Sequence, residues 1–400
     1  MATVDLEIGL SDEDIAVRDT AHRFAEEVLR PVGAELDRMH DPADVIAPDS
    51  LLWDVFEKYH PLGFDGLVAD TEMDPIAKAR LMAIVNEELS WGDVGLAITL
   101  GLCGFHGPWV QQTGDPDLIE RFCAPDKPTI GCWALTEPDH GSDTVTLTEG
   151  HFSDPTLKAN CVARKQGDEY VIKGQKAAWV SNGTIADIAV LFCTLDQSQG
   201  FKGGAVLLVP LDLPGISRPR PLDKIGQRTL NQGEIFFDDV RIPSSYMALG
   251  PDLYAIGLEM MLAHANAAMG QLFVGVARAA YDHAVAYAKE RIQGGVPIFE
   301  HQSVKSRLFK MFTKVEAARA LARRVAAFNA AGAPQVHCSI ATKVFCTQTA
   351  FEVASDALQI FGGNGLSREY PIEKLLRDAR ASLIEDGCNE VLSIVGASRL

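Results

Sequence analysis

The chain changes texture twice, near residues 129 and 245, and this constrains its fold more than any other feature. Residues 11–128 carry apolar side chains at helical spacing. Ser11-Asp12-Glu13-Asp14 reads as a capped helix start, and AVRDTAHRFAEEVLRPV runs helically up to Pro31. PIAKARLMAIVNEELSWGDVGLAITLGLCG continues in that style. From 129 to 245 the chain turns to short runs rich in Val, Ile, Phe and Thr, among them EYVIKGQKAAWVSN, DIAVLFCTL, GAVLLVPL and GEIFFDDVRI, separated by Gly, Pro and Asp turns; these predict a β-domain. After Pro251, Ala-rich segments predict helices over 254–292, 299–331, 335–361 and 371–397, with Gly362-Gly363-Asn364-Gly365 as a stop between the last two. The expected organisation is α+β: an all-α domain over 1–128, a β-domain over 129–245 and a helical domain over 246–400.

Several function classes fall away. With 36 Lys+Arg against 54 Asp+Glu the net charge is −18, which repels phosphate backbones and anionic membranes, so nucleic-acid and membrane partners are not expected. No uninterrupted apolar stretch reaches the ~18–20 residues of a spanning helix, and the opening MATVDLEIGLSDED lacks a basic segment followed by an apolar one, so a cytoplasmic protein is expected. The 8 cysteines form no CxxC pair and do not cluster with histidines, so no metal site is expected and buried reduced thiols are. GxGxxG, GxxxxGK[ST], HExxH and GxSxG are absent, and strands do not alternate with helices at βαβ spacing.

Two longer strings point further. Trp133-Ala134-Leu135-Thr136-Glu137-Pro138-Asp139-His140-Gly141-Ser142-Asp143 resembles the first signature of the acyl-CoA dehydrogenase family. Gln359-Ile360-Phe361-Gly362-Gly363-Asn364-Gly365, continuing through Glu369-Tyr370-Pro371 and Lys374 to Arg377-Asp378-Ala379-Arg380, resembles the second. Gly174-Gln175-Lys176, Trp179-Val180-Ser181-Asn182-Gly183 and Glu300-His301-Gln302 fall in family order. The resemblance implies a middle barrel or sandwich, a C-terminal four-helix bundle, and FAD as cofactor. It implies that Leu135, Thr136, Gly141 and Ser142 contact FAD, that Trp179 flanks the flavin ring and that Ser181 sits near its reactive edge. It further implies that Gln359, Gly362 and Gly363 of a neighbouring subunit hold the pyrophosphate with Arg291 and Gln302, and that Cys388 and Glu390 border the cofactor. Read as bare residues, Trp179 is a core aromatic, Ser142 a turn residue and the glycine run a helix C-cap. One departure is Arg291-Ile292-Gln293-Gly294-Gly295, where the family usually writes Arg-x-x-Phe-Gly.

The family reaction needs a carboxylate beside the thioester, and the resemblance places Asp386, followed by Gly387, where the commonest subgroup has Glu-Gly. Glu385 is the alternative base. A base packed against a flavin and an apolar acyl chain loses hydration, which raises its pKa. Another branch carries its base on the first long C-terminal helix, but here Ala265 stands there, followed by Asn266 in place of a common Arg. Ser142, Asn266 and Asp93 are candidate substrate contacts. Asp93 by default caps a helix, but facing the cavity it would supply a second acid. With the short arm of Asp386 it would then suit cyclohexane- or cyclohexene-carboxyl thioesters and 1,4-dehydrogenation. The expected activity is acyl-CoA dehydrogenation with electrons passed to an electron-transfer flavoprotein, in a homotetramer; the alternatives are a nitroalkane-type flavin oxidase or a non-oxidising acyl-CoA-binding relative.

Overall fold

Ser11 starts the first helix as its residue type requires: its side chain accepts from the Asp14 N–H, and the Asp14 carboxylate accepts from the Ser11 N–H. The computed structural model describes residues 6–64, 67, 72–124 and 128–400. Residues 1–5, read above for a leader, and 125–127, beside the expected boundary at 128, lie outside them. Helix α1 (Asp12–Phe24) does not end at Pro31; a π turn over Ala25–Leu29 carries it into α2 (Arg30–Arg38), whose first turn tolerates a proline without an N–H. The first block continues with α3 (Leu51–Tyr59), α4 (Pro75–Gly92), α5 (Val94–Cys103), α6 (Gly107–Thr113) and α7 (Pro116–Phe122).

The second block begins at β1 (Gly131–Ala134) and proceeds through β2 (Val162–Gln166), β3 (Glu169–Ser181), β4 (Ile188–Thr194), β5 (Gly204–Pro210), β6 (Ile216–Ser217), β7 (Gln232–Pro243) and β8 (Met247–Leu249). The sheet therefore runs past residue 245, ending at Leu249. Its order is β6-β7-β3-β2-β4-β5-β8, with β1 parallel to β4. Strand β4 is buried on both faces. Ala189, Leu191 and Cys193 join Ile172 and Phe237 in a core enclosed by the sheet, while Ile188, Val190 and Phe192 meet Leu258 and Leu262 of the helix that follows.

That helix is α8 (Pro251–Glu290), followed by α9 (Gln302–Ala331) and α10 (Val336–Phe361). Alpha-8 is long and apolar enough to cross a membrane by length and composition, but 78% of its most apolar window is buried inside the protein. It packs closely on its neighbours through small residues: a Cβ on Gly275 would lie 2.2 Å from Ser90 Oγ of α4, and one on Gly270 2.4 Å from Thr342 Cγ2 of α10. The expected stop at the glycine run holds, with Gly362 at φ +62°. The expected helix over 371–397 does not: α11 (Ile372–Ser382) and α12 (Asn389–Ala397) are separate, and the break between them holds Glu385 and Asp386.

Within the first signature, Glu137 and Lys176 form a buried ion pair at 2.6 Å, both side chains at most 1% exposed. Glu137 also accepts the Asn160 and Cys161 N–H groups, and Lys176 donates to the Leu135 carbonyl, so the pair fixes the loop after β1. Removing one partner leaves the other charge buried without its counter-ion. Lys176→Met should lower unfolding free energy by about 3–5 kcal/mol, measured by urea denaturation, whereas Lys173→Met at an exposed pair should change it by under about 1 kcal/mol.

Candidate active site

The three blocks enclose one cavity of about 2730 Å³. A drug-sized ligand needs roughly 300–1,000 Å³, so there is room for two large molecules side by side. Leu135, Thr136, Gly141 and Ser142 reach it from the loop after β1, Trp179 and Ser181 from the end of β3, and Glu385 and Asp386 from the turn between α11 and α12. Residues more than 200 positions apart in sequence thus border one cavity.

The turn is held from below. Lys343, fully buried in α10, donates from Nζ to the Gly387 carbonyl at 2.8 Å and to Asn389 Oδ1 at 2.8 Å. The Cys388 N–H donates to Ser142 Oγ at 3.0 Å, tying the turn to the first signature. Asp386 sits at φ +53°, a left-handed conformation that Asp adopts more readily than most side chains, and Gly387 follows at φ +92°. Desolvation pushes the Asp386 carboxyl up to about 6, against the opposing pull of the Lys343 charge. Burial and then the neighbouring Asp386 charge push Glu385 up to about 7. Burial likewise brings Lys343 down to about 8 and Lys224 down to about 7.

Two glutamines fix side chains that line the cavity. Gln232 accepts from Lys224 Nζ at 2.8 Å through Oε1, which leaves its Nε2 to donate to Ser181 Oγ at 3.0 Å. The hydroxyl proton of Ser181 is then uncommitted among the described residues. Gln227, at φ +48°, gives its N–H to Asp378 Oδ1 at 2.5 Å and its Nε2 to Glu385 Oε1 at 2.5 Å.

Asp93 is corrected. It does not face the cavity: it caps α5 through the Leu96 N–H, accepts from Thr229 Oγ1 at 2.7 Å, and pairs with Lys374 Nζ at 2.6 Å, with its side chain 2% exposed. A pocket acid would need a free carboxylate, and this one is consumed three times over. Asn266 is also corrected: its side chain is fully buried off the cavity wall, with neither amide atom partnered among the described residues, while Ala265 beside it does line the wall. Cys388 and Glu390 do not line the cavity either: Cys388 contributes its backbone N–H to Ser142, and Glu390 is exposed.

The residues fit a flavin in part. Trp179 presents a large ring, 57% exposed, on a cavity wall where an uncovered indole needs a flat partner, and Thr136 and Ser181 bring hydroxyls to the same space. The pyrophosphate set does not line that cavity: Arg291, Gln302, Gln359, Gly362 and Gly363 are all exposed and lie off it. One chain therefore supplies the ring end of such a site and displays the phosphate end elsewhere.

Sequence reasoning missed Lys343, Gln227, Gln232 and Lys224. Lys343 had a signal, since it falls on the apolar stripe of α10 running through Ile340, Cys346, Ala350 and Val353, where a lysine is buried only if something receives its charge.

Comparisons with known proteins agree with this layout. The models described as acyl-CoA dehydrogenase N-terminal, middle and C-terminal domain match residues 11–125, 132–240 and 258–400. The chain is 30% identical over 413 residues to the mitochondrial short-chain specific acyl-CoA dehydrogenase of Rattus norvegicus, covering 100% of this chain and 92% of the relative. It resembles the solved butyryl-CoA dehydrogenase of Megasphaera elsdenii with a TM-score of 0.84 at 29% identity, covering 98% of this chain and 99% of that one. A chain in a structure of the electron transferring flavoprotein of Acidaminococcus fermentans matches with a TM-score of 0.82 at 29% identity, covering 98% of each.

The placement of Asp93 is testable. Asp93→Asn keeps the cap acceptor but strips Lys374 of one of its two carboxylates, and should cost about 3 kcal/mol in denaturant unfolding. It should leave anaerobic bleaching of bound flavin by a thioester within about threefold of the parent, since its side chain contributes nothing to the cavity wall.

Proposed function

Because the chain belongs to the acyl-CoA dehydrogenase family, and so is an FAD-dependent oxidoreductase acting on acyl-CoA, we propose that Asp386 is the base that takes the α-proton of the thioester. The observation that carries this is the pinned turn between α11 and α12, which presents a desolvated carboxylate to the cavity shared by Trp179 and Ser181. Bound FAD supplies the acceptor for the β-hydride. Asp386 must be ionised to act; it gains the α-proton as the substrate loses two hydrogens, and the Lys343 charge below the turn keeps its pKa from rising further. Ser181, positioned by Gln232, can donate a hydrogen bond toward a ring edge, while Ser142 ties the loop beside it to the turn that carries the base.

Electrons pass to an electron-transfer flavoprotein, a partner supported by the likeness to the chain from Acidaminococcus fermentans. The protein assembles as a tetramer, a pair of dimers, in which one copy's exposed Gln359, Gly362 and Gly363 complete the cofactor site of another. The exposed Ile292, Phe309 and Leu366 support such a contact. The acyl group is compact, of the cyclohexanecarboxyl type, because the short Asp386 side chain needs an α-carbon held on a rigid frame. The 1,4-dehydrogenation loses its second acid with Asp93, so the reaction is α,β. All 8 cysteines are free, which supports a reducing cytoplasmic location.

Asp386→Asn should retain FAD and bind thioester but slow anaerobic flavin bleaching by about 10⁴-fold or more, read by stopped-flow with straight, branched and alicyclic acyl-CoA thioesters. In the parent enzyme the bleaching rate should rise with pH and level off above about 6, because only the ionised carboxylate accepts the proton and its pKa is raised to that value. Forcing the oligomer apart by dilution should release FAD, followed by the gain of free-flavin fluorescence.

A further inference from the structure

Beside the proposed base stands a second carboxyl that the reaction does not use. Glu385 and Asp386 line the same cavity. Glu385 Oε1 receives one hydrogen bond, from Gln227 Nε2; its other oxygen has no partner among the described residues and is not sealed from the cavity. Lys343 and Lys224 lie close enough for their charges to favour ionised Glu385, but neither hydrogen-bonds to it. Lys224 donates to the Leu230 carbonyl and Gln232, and Lys343 to the Gly387 carbonyl and Asn389. The side chain is not loose, since Gln227 is itself locked by Asp378 in a left-handed conformation. A carboxyl in a largely apolar wall costs desolvation that an apolar side chain would avoid, and no internal hydrogen bond offsets the free oxygen. Such an acceptor suits a donor that arrives with the ligand.

We propose that Glu385 determines substrate specificity: its free oxygen accepts a hydrogen bond from an O–H or N–H group on the acyl moiety, so the preferred thioesters carry a hydroxyl or amine. This rests on the acyl-thioester reading above. Gln227 is the positioning residue, holding the first oxygen so that the second points to the ligand without further ordering cost.

The test uses Asp386→Asn holoenzyme, which binds without turnover, in titration calorimetry. The ligands are cyclohexanecarboxyl-CoA, its 3- and 4-hydroxy derivatives, and piperidine-3- and piperidine-4-carboxyl-CoA. At least one donor-bearing ring should bind about tenfold or more tightly than the plain ring, because a site built to accept a hydrogen bond rejects the analogue lacking it. Adding Glu385→Leu should erase that advantage. The isosteric Glu385→Gln, which keeps an acceptor but loses the charge, should erase it for the piperidinium rings and retain it in part for the hydroxylated ones. Equal or tighter binding of the plain ring with Glu385 present, or an advantage that survives both substitutions, overturns the proposal. Failure of the underlying reading shows separately, as wild-type flavin that none of these thioesters bleaches even though the binding preference holds.

Discussion

An ammonium group with no exposure to solvent has to be received by oxygens, and Lys343 is received by the one stretch of backbone that a continuous C-terminal helix would not provide. Its two hydrogen bonds, to the Gly387 carbonyl and Asn389 Oδ1, compensate its burial only if α11 stops at Ser382 and α12 restarts at Asn389. Asn389 is fixed in turn by Thr347 one turn along α10. The break places Asp386 in a left-handed turn facing the cavity, and the same lysine moderates the desolvation that raises the Asp386 pKa. Lys343 thus fixes the position of the proposed base and restrains the basicity that desolvation gives it.

The second signature serves mostly to join the blocks. Lys374 pairs with Asp93 at the start of α5 and with Asp378 one turn on; Arg377 pairs with Asp37 of α2 and Glu373; Asp378 receives the Gln227 backbone ahead of β7. A parallel cluster lies deeper, where Glu87 of α4 meets Arg278 of α8 and Arg319 and Arg323 of α9, holding the carboxylate far below its usual range despite burial. Charges that read as motif positions are therefore the fastenings that keep both walls of one cavity in register.

This explains what was legible in the chain. Alternation of helical and extended texture is local, so the three blocks, the Ser11 cap and the Gly362 stop could be read directly. Of the residues that the family resemblance pointed to, Leu135, Thr136, Gly141, Ser142, Trp179, Ser181, Glu385 and Asp386 do meet at the cavity, whereas Arg291, Gln302, Gln359, Gly362 and Gly363 lie off it. What could not be read depends on partners distant in sequence. Asp93 is spent on Lys374, 281 residues away. The helix break at 383–388 answers to Lys343 rather than to any proline, and Asn266 gives no sign in its own sequence of whether it faces the cavity or the interior.

In the proposed mechanism the turn between α11 and α12 delivers Asp386, and not its neighbour Glu385, to the substrate. A crystal structure of the FAD-loaded protein with a non-reducible alicyclic acyl-CoA analogue tests it most directly. An Asp386 carboxylate oxygen should lie within about 3–3.5 Å of the analogue's α-carbon, with Lys343 still bonded to the Gly387 carbonyl. Glu385 at that distance, with Asp386 turned away, would contradict it.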